Sequence, residues 1–181
     1  METTILFVRH GETDWNLERR VQGHTDRPLN ETGRAQARAL AAELSDERLT
    51  AVYSSDLVRA HETAAIVAEP HGLEVTVLPD LRERDFGTWE GLTDDEIRNR
   101  FPQASTGHWG DAETPAEMTR RVVDALERIA AAHPGGRVLV VAHGGPARAL
   151  LRHCRAGGDA PVANCHVLRI ASGDGALRVL D

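Results

Sequence analysis

The chain has 181 residues, 41% hydrophobic and 27% charged, a balance that fits one folded domain over residues 1–181 and excludes wholesale disorder. All 21 of its basic side chains are Arg, which excludes Schiff-base, P-loop and kinase-type lysine chemistry. Against them stand 28 Asp and Glu, and a net charge of -7 argues against a nucleic-acid partner, whose affinity draws on a cationic stripe.

In chain order, residues 4–8 (TILFV) are apolar and β-prone, as a buried strand requires. Asn30 or Thr32 caps a predicted helix running to about Glu47. A short strand over 51–54 follows, then a helix opened by Asp56 and ending at Ala68, before Pro70 and Gly72. Residues 74–78 form a third strand, stopped by Pro79. The pattern then weakens, apart from a turn-rich helix near 94–100, until helical periodicity resumes over 115–132. Residues 137–142 (RVLVVA) read as a continuous buried strand, and a helix from Gly144 or Gly145 to about His153 follows, with Pro146 in its first turn. The end reads as a hairpin, 162–171 and 176–180 around Ser-Gly-Asp-Gly. Strands alternating with helices predict an α/β fold: a three-layer, doubly wound, mostly parallel sheet with an antiparallel edge.

No stretch has the length of a membrane span, and there is no basic region ahead of the N-terminal apolar run, so no membrane partner is expected. Cys154 and Cys165 form no CxxC and no disulfide framework, which points to a reducing, cytoplasmic setting. The pairs Arg19-Arg20 and Arg120-Arg121 read as solvated helix faces, and His24, His71, His108 and His133 as surface residues.

Two strand ends share one construction: ILFV leads into Arg9-His10-Gly11, and VLVVA into His143-Gly144-Gly145. In an open α/β sheet ligands bind outside the carboxyl ends of the strands, so both histidines are placed to face one crevice. The helix after Gly144 would aim its N–H groups and positive dipole end at the same place, an anion site. Nine His make a metal site the first rival, but there is no HExxH, no CxxC and no close His–carboxylate repeat, so no metal and no cofactor are expected. GxSxG and a strand-following GxGxxG are also missing.

The order of motifs carries a resemblance. Val8-Arg9-His10-Gly11-Glu12-Thr13, with Trp15-Asn16 and Gln22-Gly23, resembles the signature of the histidine phosphatase superfamily, the phosphoglycerate mutase-like phosphatases. Asp26-Arg27-Pro28-Leu29 with Gly33 and Gln36-Ala37, Ser54 to Ala60 with Thr63-Ala64, Leu81 to Gly87 with Trp89-Glu90-Gly91, and Val141 to Gly145 are similar to its later segments, in order. The resemblance implies that His10 is a nucleophile forming a phosphohistidine, that Arg9, Arg59 and His143 surround the phosphoryl group, and that Glu83 is the general acid and then base. It also implies that Asn16, Gln22 and Gly23 help hold the phosphate or its ester, and Gly144 belongs to the anion-binding helix start.

Those roles agree with the chemistry. A phosphoryl group in transfer spreads charge over three equatorial oxygens, which guanidinium forks, imidazole and a helix N-terminus can meet. His10 must attack as neutral imidazole, with one ring nitrogen donating to an acceptor; a carbonyl in the Gly11 turn is the expected partner. Glu83 must be protonated for one half-reaction and ionised for the other, which calls for a raised pKa. By residue type Asp85, in the same loop, is its rival, and Arg59 on a helix face, taken alone, reads as an ordinary salt-bridge residue. Phe86 is expected to pack in the core, while Trp15 and Trp89 can either pack or wall a pocket.

Only the stretch from Thr88 to Glu117 is available as a lid, and Gly87 to Gly91 and Val21 to His24 resemble the phosphatase branch rather than the mutases. A Gly-Glu-Ser step common in the family is replaced by Glu113-Thr114-Pro115, leaving open what meets the distal end of the substrate. The expected function is metal-independent hydrolysis of a small-molecule phosphate ester by a monomer or homodimer. The alternatives are mutase-type phosphoryl transfer and a catalytically silent phospho-ligand binder.

Overall fold

The apolar runs form the middle of a six-stranded sheet in a computed structural model that describes residues 1–106, 112–173 and 175–180. Its strands are β1 (Thr3–Arg9), β2 (Ala51–Ser54), β3 (Val75–Val77), β4 (Arg137–Ala142), β5 (Val167–Gly173) and β6 (Ala176–Val179), in the order β3-β2-β4-β1-β5-β6. β1 to β4 are mutually parallel, whereas β5 runs antiparallel to β1 and pairs with β6 as a hairpin, the expected antiparallel edge. Asp174, in the hairpin turn, lies outside the described residues.

Period-two alternation divides the central strands between two helical layers. Ile5, Phe7, Val138 and Val140 face one core with Val122, Leu126, Ile129 and Leu150, from α5 (Pro115–Ala132) and α6 (Gly144–His153). Leu6, Val8, Leu139 and Val141 face the other, with Leu40 and Ala64 from α2 (Glu31–Glu43) and α3 (Val58–Ala68). Burial on both faces explains why β1 and β4 read as unbroken apolar runs. The mixed sheet flanked by helices is the predicted class.

The register between β1 and β4 decides where the chemistry sits. Val8 lies opposite Val141 and Arg9 opposite Ala142, and His10 N–H donates to the Ala142 carbonyl at 3.0 Å. The next residue on each strand end is a histidine, so His10 and His143 leave the sheet side by side.

Several boundaries differ from expectation for local reasons. α2 stops at Glu43, where the Ser45 hydroxyl caps the Ala42 carbonyl at 2.9 Å. α3 starts at Val58 because Asp56 turns instead to Arg82, with 2.7 Å from Nε, and Asp26 accepts the Val58 N–H at 2.8 Å. β3 is confined to three residues, and β5 begins at Val167 because the segment before it folds back over the strand end, with Cys165 N–H on the Arg9 carbonyl at 2.8 Å. A one-turn helix, α1 (Asp14–Leu17), was not expected; a reciprocal capping box between Thr13 and Asn16 builds it. The helices α4 (Asp94–Arg100) and α5 start on the same device, from Thr93 with Glu96 and Thr114 with Glu117. Of the stretch from Thr88 to Glu117, residues 107–111, including His108, lie outside the described residues.

Candidate active site

The carboxyl ends of β1 and β4 open into a cleft of about 160 Å³ lined by Arg9, His10, Asn16, Gln22, Gly23, Arg59, Glu83 and Gly144, with Arg20, Val21, Phe86, Gly145 and Arg148. Every residue predicted for the site except His143 is on that wall, and the His143 ring stands directly behind, 5.2 Å from the His10 ring centroid to centroid and tilted by 63°.

The protonation pattern of His10 follows from its neighbours. Its Nδ1 lies 2.6 Å from the Gly11 carbonyl, the predicted partner, and a carbonyl only accepts. Nδ1 therefore carries the hydrogen, and Nε2 keeps its lone pair. Burial first, then the charges of Arg59 and Arg9, hold the His10 pKa well below the usual imidazole value, so the ring is neutral. His143 is likewise held well below it, by burial and then Arg59, and its Nε2 shares a 2.7 Å hydrogen bond with Ser55 Oγ.

Arg59 is fully buried at the start of α3, which contradicts its reading as a salt-bridge residue. Its Nη1 donates to the Thr25 carbonyl at 2.9 Å and Nη2 to Gly23 at 2.7 Å, fixing the fork by backbone atoms. Burial pulls its pKa down to about 10, so it stays charged at neutral pH. Burial also lowers the Arg9 pKa; Arg9 Nη1 donates to the Val162 carbonyl. Arg9 Nε, Arg59 Nε and His143 Nδ1 are buried with no hydrogen-bond partner among the described residues. Buried donors normally find acceptors, so the two guanidinium N–H groups describe a place that suits an anion, and His143 Nδ1 joins them when Ser55 donates to its Nε2.

The two carboxylates of the acid loop occupy different places. Glu83 reaches the cleft and accepts from the Gly145 N–H at the start of α6 (Oε2, 2.9 Å) and from the Arg84 N–H (Oε1, 2.8 Å). Asp85 turns away, accepting from the Gly87 N–H at 2.8 Å and lining a separate charged groove.

Four residues expected elsewhere hold this arrangement. Arg121 does not lie on a solvated face: Nη2 donates to the Glu83 carbonyl at 2.8 Å and Nη1 to Arg82 at 2.7 Å, while Glu113 binds its other edge at 2.6 and 2.7 Å. Glu113 therefore acts on the acid loop from the segment that replaces the Gly-Glu-Ser step. His24, also expected at the surface, places Nε2 2.9 Å from the Glu83 carbonyl. Arg20 faces the cleft and donates to the Gly91 carbonyl at 2.8 Å. Phe86 is not a core residue; it lines the cleft, with the Arg84 guanidinium 4.3 Å over its ring. Trp89 does pack, buried against Phe101, and Trp15 lies under Arg27 at 5.1 Å. His133, too, is tied in, to the Tyr53 hydroxyl at 2.9 Å.

Two further residues, to which the sequence assigned no role, position the site. Asn164 donates to the His10 carbonyl at 2.9 Å and to Asn16 Oδ1 at 3.3 Å. Glu90 accepts from the backbone N–H groups of His24 and Thr25, both at 2.8 Å, and of Phe86 at 3.2 Å, binding the loop over Arg59 to the acid loop. Its place in Trp-Glu-Gly was the available clue. Among the described residues no three His, Cys, Asp or Glu side chains converge to hold a metal ion.

Comparison with known proteins identifies the family. The description of the histidine phosphatase superfamily (branch 1) matches residues 5–180, and the chain belongs to that family. It is a phosphatase-type enzyme of the phosphoglycerate mutase-like group. It is similar to phosphoglycerate mutase-like protein 4 of Arabidopsis thaliana, 44% identical over 162 residues, covering 83% of this chain and 70% of the relative. The metal-independent phosphoserine phosphatase of the same plant is 42% identical over 177 residues, 91% and 74% of the two chains. The solved structure of Bacillus stearothermophilus YhfR superposes with a TM-score of 0.90 at 34% identity, over 98% of this chain and 95% of that one. Among the described residues no helix is long and apolar enough to cross a membrane.

Proposed function

We propose that the chain is a metal-independent phosphomonoesterase that hydrolyses a small phosphorylated metabolite through a phosphohistidine on His10. The observation that carries this is the neutral His10 with its Nε2 lone pair free, facing a cleft walled by Arg9 and Arg59 and backed by the orphan Nδ1 of His143. In the first step Nε2 bonds to phosphorus, the phosphorus–ester oxygen bond breaks, and the leaving oxygen takes the proton from Glu83. In the second, the Glu83 carboxylate takes a proton from water, the water oxygen bonds to phosphorus, and the phosphorus–nitrogen bond breaks. Arg9, Arg59, His143 and the N–H groups at the start of α6 meet the charge on the equatorial oxygens. Asn16, Gln22 and Gly23 hold the near side, and Glu83 rather than Asp85 is the acid. A name such as metal-independent phosphoserine phosphatase among the relatives supports hydrolysis without a metal. The partner is thus a small phosphate ester, and the two free thiols, Cys154 and Cys165, favour a cytoplasmic, reducing setting.

The test is release of inorganic phosphate from p-nitrophenyl phosphate with and without EDTA. Turnover that EDTA leaves intact is expected. No turnover removes the phosphatase reading in favour of a binder, loss to EDTA assigns a metal, and return of the phosphoryl group to phosphoglycerate without free phosphate makes the protein a mutase.

The helix start also predicts a separable effect. A Cβ on Gly145 would lie 2.0 Å from Glu83 Oε1, a side-chain end that can move. Gly145→Ala is expected to fold with a Tm close to wild type while kcat falls by about 10- to 100-fold, because a displacement near 1 Å misplaces the acid. An unchanged kcat would mean that Glu83 need not occupy this position.

A further inference from the structure

The Glu83 side of the cleft carries a cation that pairs with no described residue. Arg148 lies on α6 one turn beyond Gly144 and Gly145, on the face that lines the cleft. Among the described residues it makes no ion pair and no side-chain hydrogen bond, whereas Arg152, in the same cleft wall, donates to the Gly158 carbonyl at 2.7 Å, and Arg121 is saturated by Glu113 and by backbone carbonyls. The charge of Arg148 instead falls on two other cations, Arg9 and Arg84, and works against both.

Its location gives this imbalance a purpose. A second cleft of about 250 Å³ joins the first along Glu83, Phe86, Gly145 and Arg148, and its far wall includes Arg84 and Arg152. Glu83 stands where the two meet. An ester whose leaving oxygen is beside Glu83 therefore projects its remaining atoms into the second cleft, past Arg148. A guanidinium there, with its donors unused and like charges nearby, is matched by anionic oxygens received in a bidentate pair.

We propose that Arg148 is a specificity-determining residue that binds a second anionic group, carboxylate or phosphate, on the leaving alcohol. This rests on the phosphatase reading for the direction of the leaving group. The substrate class becomes a phosphate monoester with a second anion, rather than a neutral sugar, an amine or an aryl ester.

Binding tests this without needing turnover. In the His10→Ala background, dissociation constants are compared for 3-phosphoglycerate against glycerol 3-phosphate, which differ in the carboxylate, and for fructose 1,6-bisphosphate against fructose 6-phosphate, which differ in a second phosphate. The doubly anionic partner of at least one pair is expected to bind about tenfold more tightly, as charge-assisted pairing allows. Adding Arg148→Gln should bring that ratio close to one, and Arg148→Lys, which keeps the charge and loses the fork, should restore part of it. Which pair shows the preference tells carboxylate from phosphate. No preference in either pair, a preference that survives Arg148→Gln, or equal weakening of both members of a pair overturns the assignment. Phosphate release from p-nitrophenyl phosphate by the wild-type enzyme reports separately on the phosphatase reading.

Discussion

His10→Ala is expected to lower kcat/KM for p-nitrophenyl phosphate by about a thousandfold or more, as removal of a covalent nucleophile does in other enzymes. The magnitude follows from the way the structure prepares this ring. The Gly11 carbonyl at 2.6 Å fixes the tautomer, Asn164 holds the His10 backbone carbonyl at 2.9 Å, and the strand register fixes the backbone N–H. No nearby group replaces it: His143 is bound to Ser55 and faces the His10 ring at an angle. A variant retaining a tenth of the wild-type rate would sink the assignment. The same environment sets a pH dependence. Because burial holds His10 and His143 below the ordinary imidazole value, both stay neutral in the free folded enzyme as pH falls through 6.5, while the unfolded chain begins to bind protons there. Stability present above 6.5 is therefore lost progressively below it, down to the depressed folded values. Thermal melts from pH 8 to 5 should show Tm falling below 6.5, and the rate per folded molecule should persist past that point. A rate that halves at 6.5 in fully folded enzyme would show that His10 titrates normally.

Arg59→Met is expected to cost about 10³-fold in kcat/KM with a much smaller effect on stability, since an arginine that meets transferred phosphoryl charge contributes on that scale. Two opposing effects limit the stability change. Removing the fork leaves the Gly23 and Thr25 carbonyls without their donors, at about 1–3 kcal/mol for each unsatisfied group. It also removes a fully buried cation whose charge opposes Arg9. An anion bound beside Arg59 would restore the balance. Inorganic phosphate is accordingly expected to raise the wild-type Tm, by about 2.7 kcal/mol of stabilisation at a hundred times its dissociation constant, and to have little effect on Arg59→Met. Equal protection of both proteins by phosphate, or activity within tenfold of wild type, would place Arg59 outside the phosphate site.

Much of this was legible without coordinates where the determinants are local. The strands 51–54 and 137–142 and the helices 94–100 and 115–132 were bounded correctly because apolar periodicity, Thr caps and Pro115 act within a few residues. The boundaries that moved did so through distant partners. Asp56 would have capped α3 had Arg82 not taken its carboxylate. Residues 162–166 would have continued β5 had they not closed over Arg9 and His10. In the site, matching strand ends and Gly11 placed the two histidines, but His24 and Arg121 were misplaced because their partner, the Glu83 carbonyl, lies tens of residues away.

The sequence by itself determined the tools: an anion site made of Arg, His and backbone groups, with no lysine, at the ends of two apolar strands. Its ordered motifs also pointed to the family. Only the tertiary structure shows that Glu83 and Asp85, two carboxylates in one loop, part ways, because Glu83 meets the N–H of Gly145, from a helix far along the chain, while Asp85 turns to Gly87. It likewise decided that, of 21 arginines, Arg59 is buried, Arg121 clamps the acid loop and Arg148 lines the cleft with no partner among the described residues. The physical reason is the same in each case. Residue type sets what a side chain can donate or accept, and folding sets which atoms remain unsatisfied and where they point.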